Sequence, residues 1–414
     1  MNHLEERLRQ GGQTRRDLLR AGGLAGLALL TGCASLSASK RRPAQATGGM
    51  EGTLWGFTND FGIHYSRDPN KNWRMMSILD ENMLRAARES GMTVYQYVFY
   101  WPMIEPKRGE FHWDHPDESV SLAHELGYDI FAKMLWAPAW ATGGIPWYEP
   151  WRWAEPKEKG MSSRGLPDLD RTAFQGFIQR VLDRYPFITK LSVFNEVEYD
   201  AFWPPGGPDE SKTESRQGIL ERKARSAIEH LILPAREVLK EYPHVKMLGS
   251  ENHAPDMLET YFRLEQEYGR LFDIVTSHAG YGHNTFIEKG RVIYPEDAFR
   301  WLDDIIKPTL DRYGGGRECW LTEGGVRNDL VPNPDVAEIV QAYLESRFYK
   351  GVAEREWIKA YVRYHICDGR YLDGNDQPGY GLYSAAKGRW LRAAYEIAEV
   401  INPRVTRRTP RRAG

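Results

Sequence analysis

At 414 residues, with 41% hydrophobic and 27% charged side chains and a formal charge of −2, the chain can bury a substantial core as one large domain or two ordinary ones. That balance lacks the basic excess on which nucleic-acid binders rely, and it excludes nucleic acid as the expected partner. The excess is aromatic instead. Fourteen Trp and 22 Tyr are available both to a core and to a surface that grips something partly polar.

Thr14-Arg15-Arg16-Asp17-Leu18-Leu19 sets a twin arginine directly before an apolar run, 21–30, that is too short for a permanent membrane span. The run ends in Leu30-Thr31-Gly32-Cys33, which resembles a bacterial lipobox, where the cysteine becomes the lipidated first residue of the mature protein. Residues 1–32 are therefore expected to be a twin-arginine lipoprotein signal peptide. Residues 33–50 would be the lipidated Cys33 and a flexible Ser/Ala/Arg/Pro/Gly tether. The expected location is the periplasm or cell surface, with the membrane touched only through the anchor at Cys33. An ordinary signal peptide with an incidental cysteine is the alternative. Beyond Cys33 only Cys319 and Cys367 remain. Cys319 opens one predicted strand and Cys367 lies past the exit of the next, an offset beyond disulfide reach, so both are expected to be buried free thiols.

From residue 53 onwards short apolar strands alternate with amphipathic stretches. The strands are predicted at 53–58, 94–99, 129–135, 190–194, 245–249, 274–278, 319–322 and 359–364. Helices are predicted at 81–90, 119–126, 172–185, 222–242, 257–268, 295–313 and 334–352, with a last one at 385–401. Eight such repeats point to a parallel sheet with helical crossovers, closed as a (β/α)₈ TIM barrel over residues 51–402. An open doubly wound sheet is the rival, but Trp55-Gly56-Phe57-Thr58-Asn59-Asp60 lacks the glycine-rich turn such sheets carry after their first strand. The longest loops, 137–167, 199–215 and 368–384, follow the third, fourth and eighth strands, on the C-terminal face where barrels build their sites. Residues 403–414 form a short basic tail, read as solvated.

Two strands end on a carboxylate where the barrel would open. Val193-Phe194-Asn195-Glu196 closes the fourth, and Trp320-Leu321-Thr322-Glu323-Gly324-Gly325 the seventh. One glutamate after a strand is an ordinary solvated loop residue. A pair on opposed strands suits chemistry that needs one protonated and one ionised carboxyl.

The pairing resembles the clan of retaining glycoside hydrolases on (β/α)₈ barrels, and its β-xylosidase/α-L-iduronidase-like branch most. Three further stretches carry the resemblance: Tyr100-Trp101-Pro102-Met103-Ile104-Glu105-Pro106 with Gly109-Glu110-Phe111-His112-Trp113, Trp136-Ala137-Pro138-Ala139-Trp140, and Gly381-Leu382-Tyr383. It implies Glu196 as general acid/base and Glu323 as nucleophile. Asn195 would bind the sugar 2-hydroxyl, and His278 and Tyr281 would orient Glu323. The implied partner is an oligo- or polysaccharide, with no cofactor. Two departures stand out. Tyr95-Gln96-Tyr97 replaces the arginine that many clan members carry near the end of strand two, and Tyr364-His365-Ile366-Cys367-Asp368 replaces a tryptophan at the end of strand eight.

Trp55, Trp101, Trp136, Trp140 and Trp203 stand at or just past strand ends and are the expected sugar-stacking residues. Trp147, Trp151 and Trp153 are candidates for outer subsites or for packing their loop. His365 reads equally as a subsite residue or as a filler of the missing ring's space. No metal is expected, because His278 and His283 have no third ligand near them in sequence. The expected activity is hydrolysis of an extracellular or periplasmic glycan. A transglycosylase on the same scaffold and a catalytically silent, lipid-tethered glycan-binding protein are the alternatives.

Overall fold

The structure, a computed structural model, describes residues 52–58, 63–64, 74–75, 81–142, 169–198, 214–278, 287–288, 291–292, 294–329, 331–368, 379–384 and 387–403. Eight strands follow one another round a closed parallel barrel: β1 (Leu54–Thr58), β2 (Val94–Tyr100), β3 (Asp129–Leu135), β4 (Lys190–Ser192), β5 (Lys246–Gly249), β6 (Ile274–His278), β7 (Cys319–Glu323) and β8 (Ile358–Arg363). Closure is made by β8 on β1, with Leu54 opposite Ala360. All eight lie within about two residues of their predicted places, and the helices alternate with them as expected.

Local chemistry explains the helix boundaries. Asp170 caps Arg171–Arg184 by accepting from the Ala173 N–H, and Ser215 caps Arg216–Ala227 by accepting from Gly218. The latter helix therefore starts six residues before its predicted 222. Asn333 caps the long Pro334–Ala353 helix, whose proline sits in the first turn, where no N–H is needed. The last helix is a correction. It begins at Arg392 rather than 385, because Tyr383–Ser384 pairs antiparallel with Arg389–Trp390 and parallel with Cys367–Asp368.

The period of two along each strand sorts the residues into an inside and an outside. Val94, Phe131, Leu248, Ile274, Trp320, Ala360 and Val362 form an apolar plug within the barrel, separate from the larger core between barrel and helices. Gly56 faces Val94 here: a Cβ on it would meet the Val94 carbonyl at 2.6 Å, so only glycine lets β1 and β2 close. Two residues further along the strands the interior turns polar, with Gln96, Lys133, Ser250, Thr276 and Thr322 all buried.

The same parity corrects one expectation. With Gly56 inward, Trp55 faces out and stacks on Tyr349 of the Pro334–Ala353 helix at 5.0 Å, so it packs the barrel against its helical shell and is no rim residue. Cys319 and Cys367 are buried free thiols, as expected, and burial pushes the Cys319 thiol up to about 12. No helix among the described residues is long and apolar enough to cross a membrane.

Candidate active site

Strands β3, β4 and β5 release their chains at the barrel mouth through unusual backbone. Trp136, Glu196 and Glu251, with φ of 63°, 41° and 50°, are the non-glycine residues in the left-handed region among those described. Such residues cost about 1–3 kcal/mol each, persist only where their surroundings over-determine them, and cluster at functional sites. Glu196 is held there partly by its own N–H, which leaves the β4 ladder and donates to the Glu251 carbonyl at 2.8 Å. β4 itself stops at Ser192, two residues short of the predicted 194.

The Glu196 carboxylate receives two imidazoles on one oxygen. His278 Nδ1, at the end of β6, lies 2.6 Å from Oε1, and His253 Nε2, from the loop after β5, lies 2.9 Å from it. Oε2 has no partner among the described residues and is the oxygen left for a ligand. Across the mouth, Glu323 Oε2 lies 3.7 Å from the same His278 Nδ1. Both carboxylates therefore approach one imidazole nitrogen, at 2.6 Å for Glu196 and 3.7 Å for Glu323.

A cation stands below the pair. Lys133, buried in β3, puts its Nζ 3.1 Å from Glu323 Oε1, 2.8 Å from Asn195 Oδ1 and 2.7 Å from Glu251 Oε2. With its amide turned to satisfy both ends, Gln96 accepts from the same Nζ at 3.0 Å and donates to the Thr322 carbonyl at 3.3 Å. Glu251 in turn lies 3.6 Å from His278 Nε2. Three carboxylates thus alternate with Lys133, His253 and His278 in one buried network.

The charge states follow from this alternation. Burial would raise the Glu196 carboxyl, but His253 and His278 outweigh it and hold it well below the usual carboxylate range. Burial would likewise raise Glu251, yet the Lys133 charge and the His278 contact bring it down to about 2. For His278, burial opposes protonation, and the charge of Glu323 with the contacts to Glu196 and Glu251 overcomes it, raising the imidazole to about 10. Glu198 lacks such a partner. Burial first, and then the charge of Glu196, raise it to about 7, while its Oε1 accepts from the His253 and Ala254 N–H groups.

Glu196, His253 and His278 also offer ligand atoms within 4.8 Å of one another, the spacing a cation could use. The third ligand thought missing from the neighbourhood of His278 is thus supplied in space by other strands. Both imidazoles, however, stand at hydrogen-bond distance from a single oxygen, and the trio reads as a hydrogen-bonded carboxylate.

The structure brings together Glu196, Glu323, Asn195 and His278, as expected, and disperses the tryptophans. Trp101 is buried and stacks on Phe177 of Arg171–Arg184 at 5.3 Å. Its indole N–H donates to Glu105 Oε2 at 2.8 Å, while Glu105 Oε1 accepts from the Gly109 N–H and the Glu105 carbonyl from the Trp140 indole. The Trp101…Glu105…Gly109 spacing is therefore a structural lock. Trp140, whose indole donates to the Glu105 carbonyl with the Arg108 guanidinium 4.7 Å over its ring, belongs to that lock. Trp136, just past the end of β3, is buried against Tyr100 at 4.7 Å and beside Val98 and Leu135. His365 is 1% exposed and stacks on Tyr380 at 5.6 Å, which favours the packing role. Burial and the neighbouring Arg363 keep it neutral. Cys33, Trp203, Tyr281, His283, Trp147, Trp151 and Trp153 lie outside the described residues.

Sequence reasoning missed Lys133, Glu251 and His253. Signals for them existed: Ile130-Phe131-Ala132-Lys133-Met134-Leu135 places one charge on the inward parity of an apolar strand, and Gly249-Ser250-Glu251 ends β5 on an acid just as β4 and β7 end.

No family model matches the chain, and neither does any curated protein. Solved structures do. A family 39 glycoside hydrolase from Bacteroides cellulosilyticus superposes with a TM-score of 0.51 at 16% identity, over 85% of this chain and 64% of that one. Xylanase 10B from Thermotoga maritima gives 0.51 at 15%, covering 87% and 98%. A family 39 β-xylosidase from Caulobacter crescentus gives 0.56 at 14%, covering 86% and 73%. The chain has the barrel fold of the glycoside hydrolases. The resemblance read from the strand ends thus holds at the level of fold, with xylosidase-like enzymes among the neighbours. The chain spans just under two thirds of the length of the Bacteroides enzyme.

Proposed function

We propose that the protein is a retaining glycoside hydrolase acting on an oligo- or polysaccharide outside the cytoplasm. The observation that supports this reading is the approach of Glu196 and Glu323 to one His278 Nδ1, which brings the carboxylate that follows β4 and the one that ends β7 together across the barrel mouth. Glu323 attacks the anomeric carbon as the Glu196 carboxyl gives its proton to the leaving oxygen. A covalent glycosyl–Glu323 ester forms and the aglycone departs as an alcohol. Water then gives its proton to Glu196, attacks the same carbon and frees Glu323. Asn195 contributes its Nδ2 to the sugar, because its Oδ1 is engaged by Lys133.

One observation favours a second reading. His253 and His278 hold Glu196 ionised, whereas the first step needs it protonated. A hydrolase built this way draws on the acid form only when bound substrate lowers the local polarity around Oε2. A silent glycan-binding protein would need no proton there at all. A panel of aryl glycosides and bacterial polysaccharides offered to the full chain separates the two. Release of aryl alcohol that is lost in Glu323→Ala supports the hydrolase; glycan binding without release supports the silent protein. Sugar-to-sugar transfer among the products would mark the transglycosylase.

We further propose that the protein leaves the cytoplasm by the twin-arginine route and is tethered by lipid on Cys33, on the strength of Arg15-Arg16 and Leu30-Thr31-Gly32-Cys33. Cys33→Ser is expected to leave the membrane fraction or to stay unprocessed. Wild-type protein that is soluble and carries no lipid by mass spectrometry would contradict the anchor.

A further inference from the structure

The site contains a buried cation that the proposed chemistry does not itself use. Lys133 side-chain exposure is 2%, and its Nζ faces groups from four strands or strand ends: Gln96 of β2, Asn195 after β4, Glu251 after β5 and Glu323 of β7. An ammonium has three donors, and Asn195, Glu323 and Gln96 accept hydrogen bonds from it while Glu251 stands as its counter-ion at 2.7 Å. Two of those acceptors are groups that would meet the sugar. Resting on the hydrolase reading, we propose that Lys133 is the positioning residue of this site, orienting Glu323 for attack and committing Asn195 to donate through Nδ2.

Three observations carry this beyond a structural ion pair. A Lys133–Glu251 pair alone would account for the charge, yet the same Nζ reaches Glu323 and Asn195 at hydrogen-bond distance. Glu251, the counter-ion, is itself pinned by the His278 contact and by backbone in the left-handed region, so the lysine is anchored from behind. Gln96 of β2, whose amide turns toward Lys133, adds a neutral acceptor and no second cation to this cluster. The cation beside the nucleophile is thus supplied from β3. Buried ion pairs often contribute little net stability compared with apolar replacements, which leaves geometry as the reason to keep this one.

The test is Lys133→Met, with Lys133→Arg as the conservative variant, read by crystallography and by aryl glycoside kinetics on the full chain. In Lys133→Met the Glu323 carboxylate and the Asn195 amide should leave their wild-type positions by about 1 Å or more, and kcat should fall about 100-fold with KM changed less than about threefold. Lys133→Arg should restore part of both. Unmoved side chains in Lys133→Met, or moved ones with unchanged kcat, overturn the proposal. If wild type turns over no glycoside, the hydrolase reading fails and the crystallographic result alone decides the role of Lys133. Should Lys133→Met not fold, Lys133→Met with Glu251→Gln removes the uncompensated charge and takes its place. A purely structural pair predicts that this double variant keeps Asn195 and Glu323 in place.

Discussion

Two layers of the same barrel interior, two residues apart along the strands, are built on opposite principles. Below, Val94, Phe131, Leu248, Ile274 and Trp320 pack as an apolar plug, with Phe131 and Trp320 edge to face at 6.4 Å. Above, Lys133, His278 and the carboxylates of Glu196, Glu251 and Glu323 are also buried, and every one is ionisable. The lower layer gains from leaving water; the upper one is held against the cost of leaving it by mutual pairing. The contrast teaches where to look for function in a barrel whose relatives are remote: at the height where burial ceases to be favourable on its own.

The largest break in that contrast is expected from Glu323→Ala. On the proposed chemistry no glycosyl ester can form, and turnover of an aryl glycoside should fall at least about 1,000-fold. Near-wild-type turnover would end the hydrolase reading. Next comes Phe131→Ala in the plug, expected to cost about 3–5 kcal/mol of stability through the cavity it leaves. Thermal and denaturant unfolding measure it, and a loss under about 1 kcal/mol would mean the plug is not the close-packed base described.

The smallest effect is a pH dependence at the edge of the charged layer. Glu198 is raised by burial, and by the charge of Glu196, to about 7 from an ordinary 4.5. The folded state therefore keeps a proton that the unfolded state sheds, and stability falls as pH rises from about 4.5 to about 7, then levels. Glu198→Gln cannot titrate and keeps an oxygen for the His253 and Ala254 N–H groups. Its unfolding midpoint relative to wild type should be higher at pH 8 than at pH 4. An equal difference at both would show that Glu198 is not perturbed.

The lower layer and the frame were legible in the sequence because a period of two and eight repeats are local properties. Asp129–Leu135 and Ile274–His278 fall where their patterns place them. The carboxylate pair was legible because Glu323 ends β7 and Glu196 follows closely on β4. What was not legible depended on which way a side chain turns. Trp55 and Trp101 looked like rim residues by position, but the Gly56–Val94 approach turns Trp55 outward, and Glu105 ties Trp101 into the shell. Lys133 and His253 were missed for the converse reason: their partners are distant in sequence, and only closure of the barrel brings them to Glu323 and Glu196.

The measurement that tests the central claim most directly is the configuration of the azide products. Glu323→Ala and Glu196→Ala are each given an activated aryl glycoside and azide, and the anomer of each glycosyl azide is read by NMR. The account predicts inverted product from Glu323→Ala, where azide attacks in place of the missing nucleophile. It predicts retained product from Glu196→Ala, where azide intercepts the ester on Glu323. Swapped configurations would reverse the two roles, and wild-type-like turnover in both variants would contradict the account.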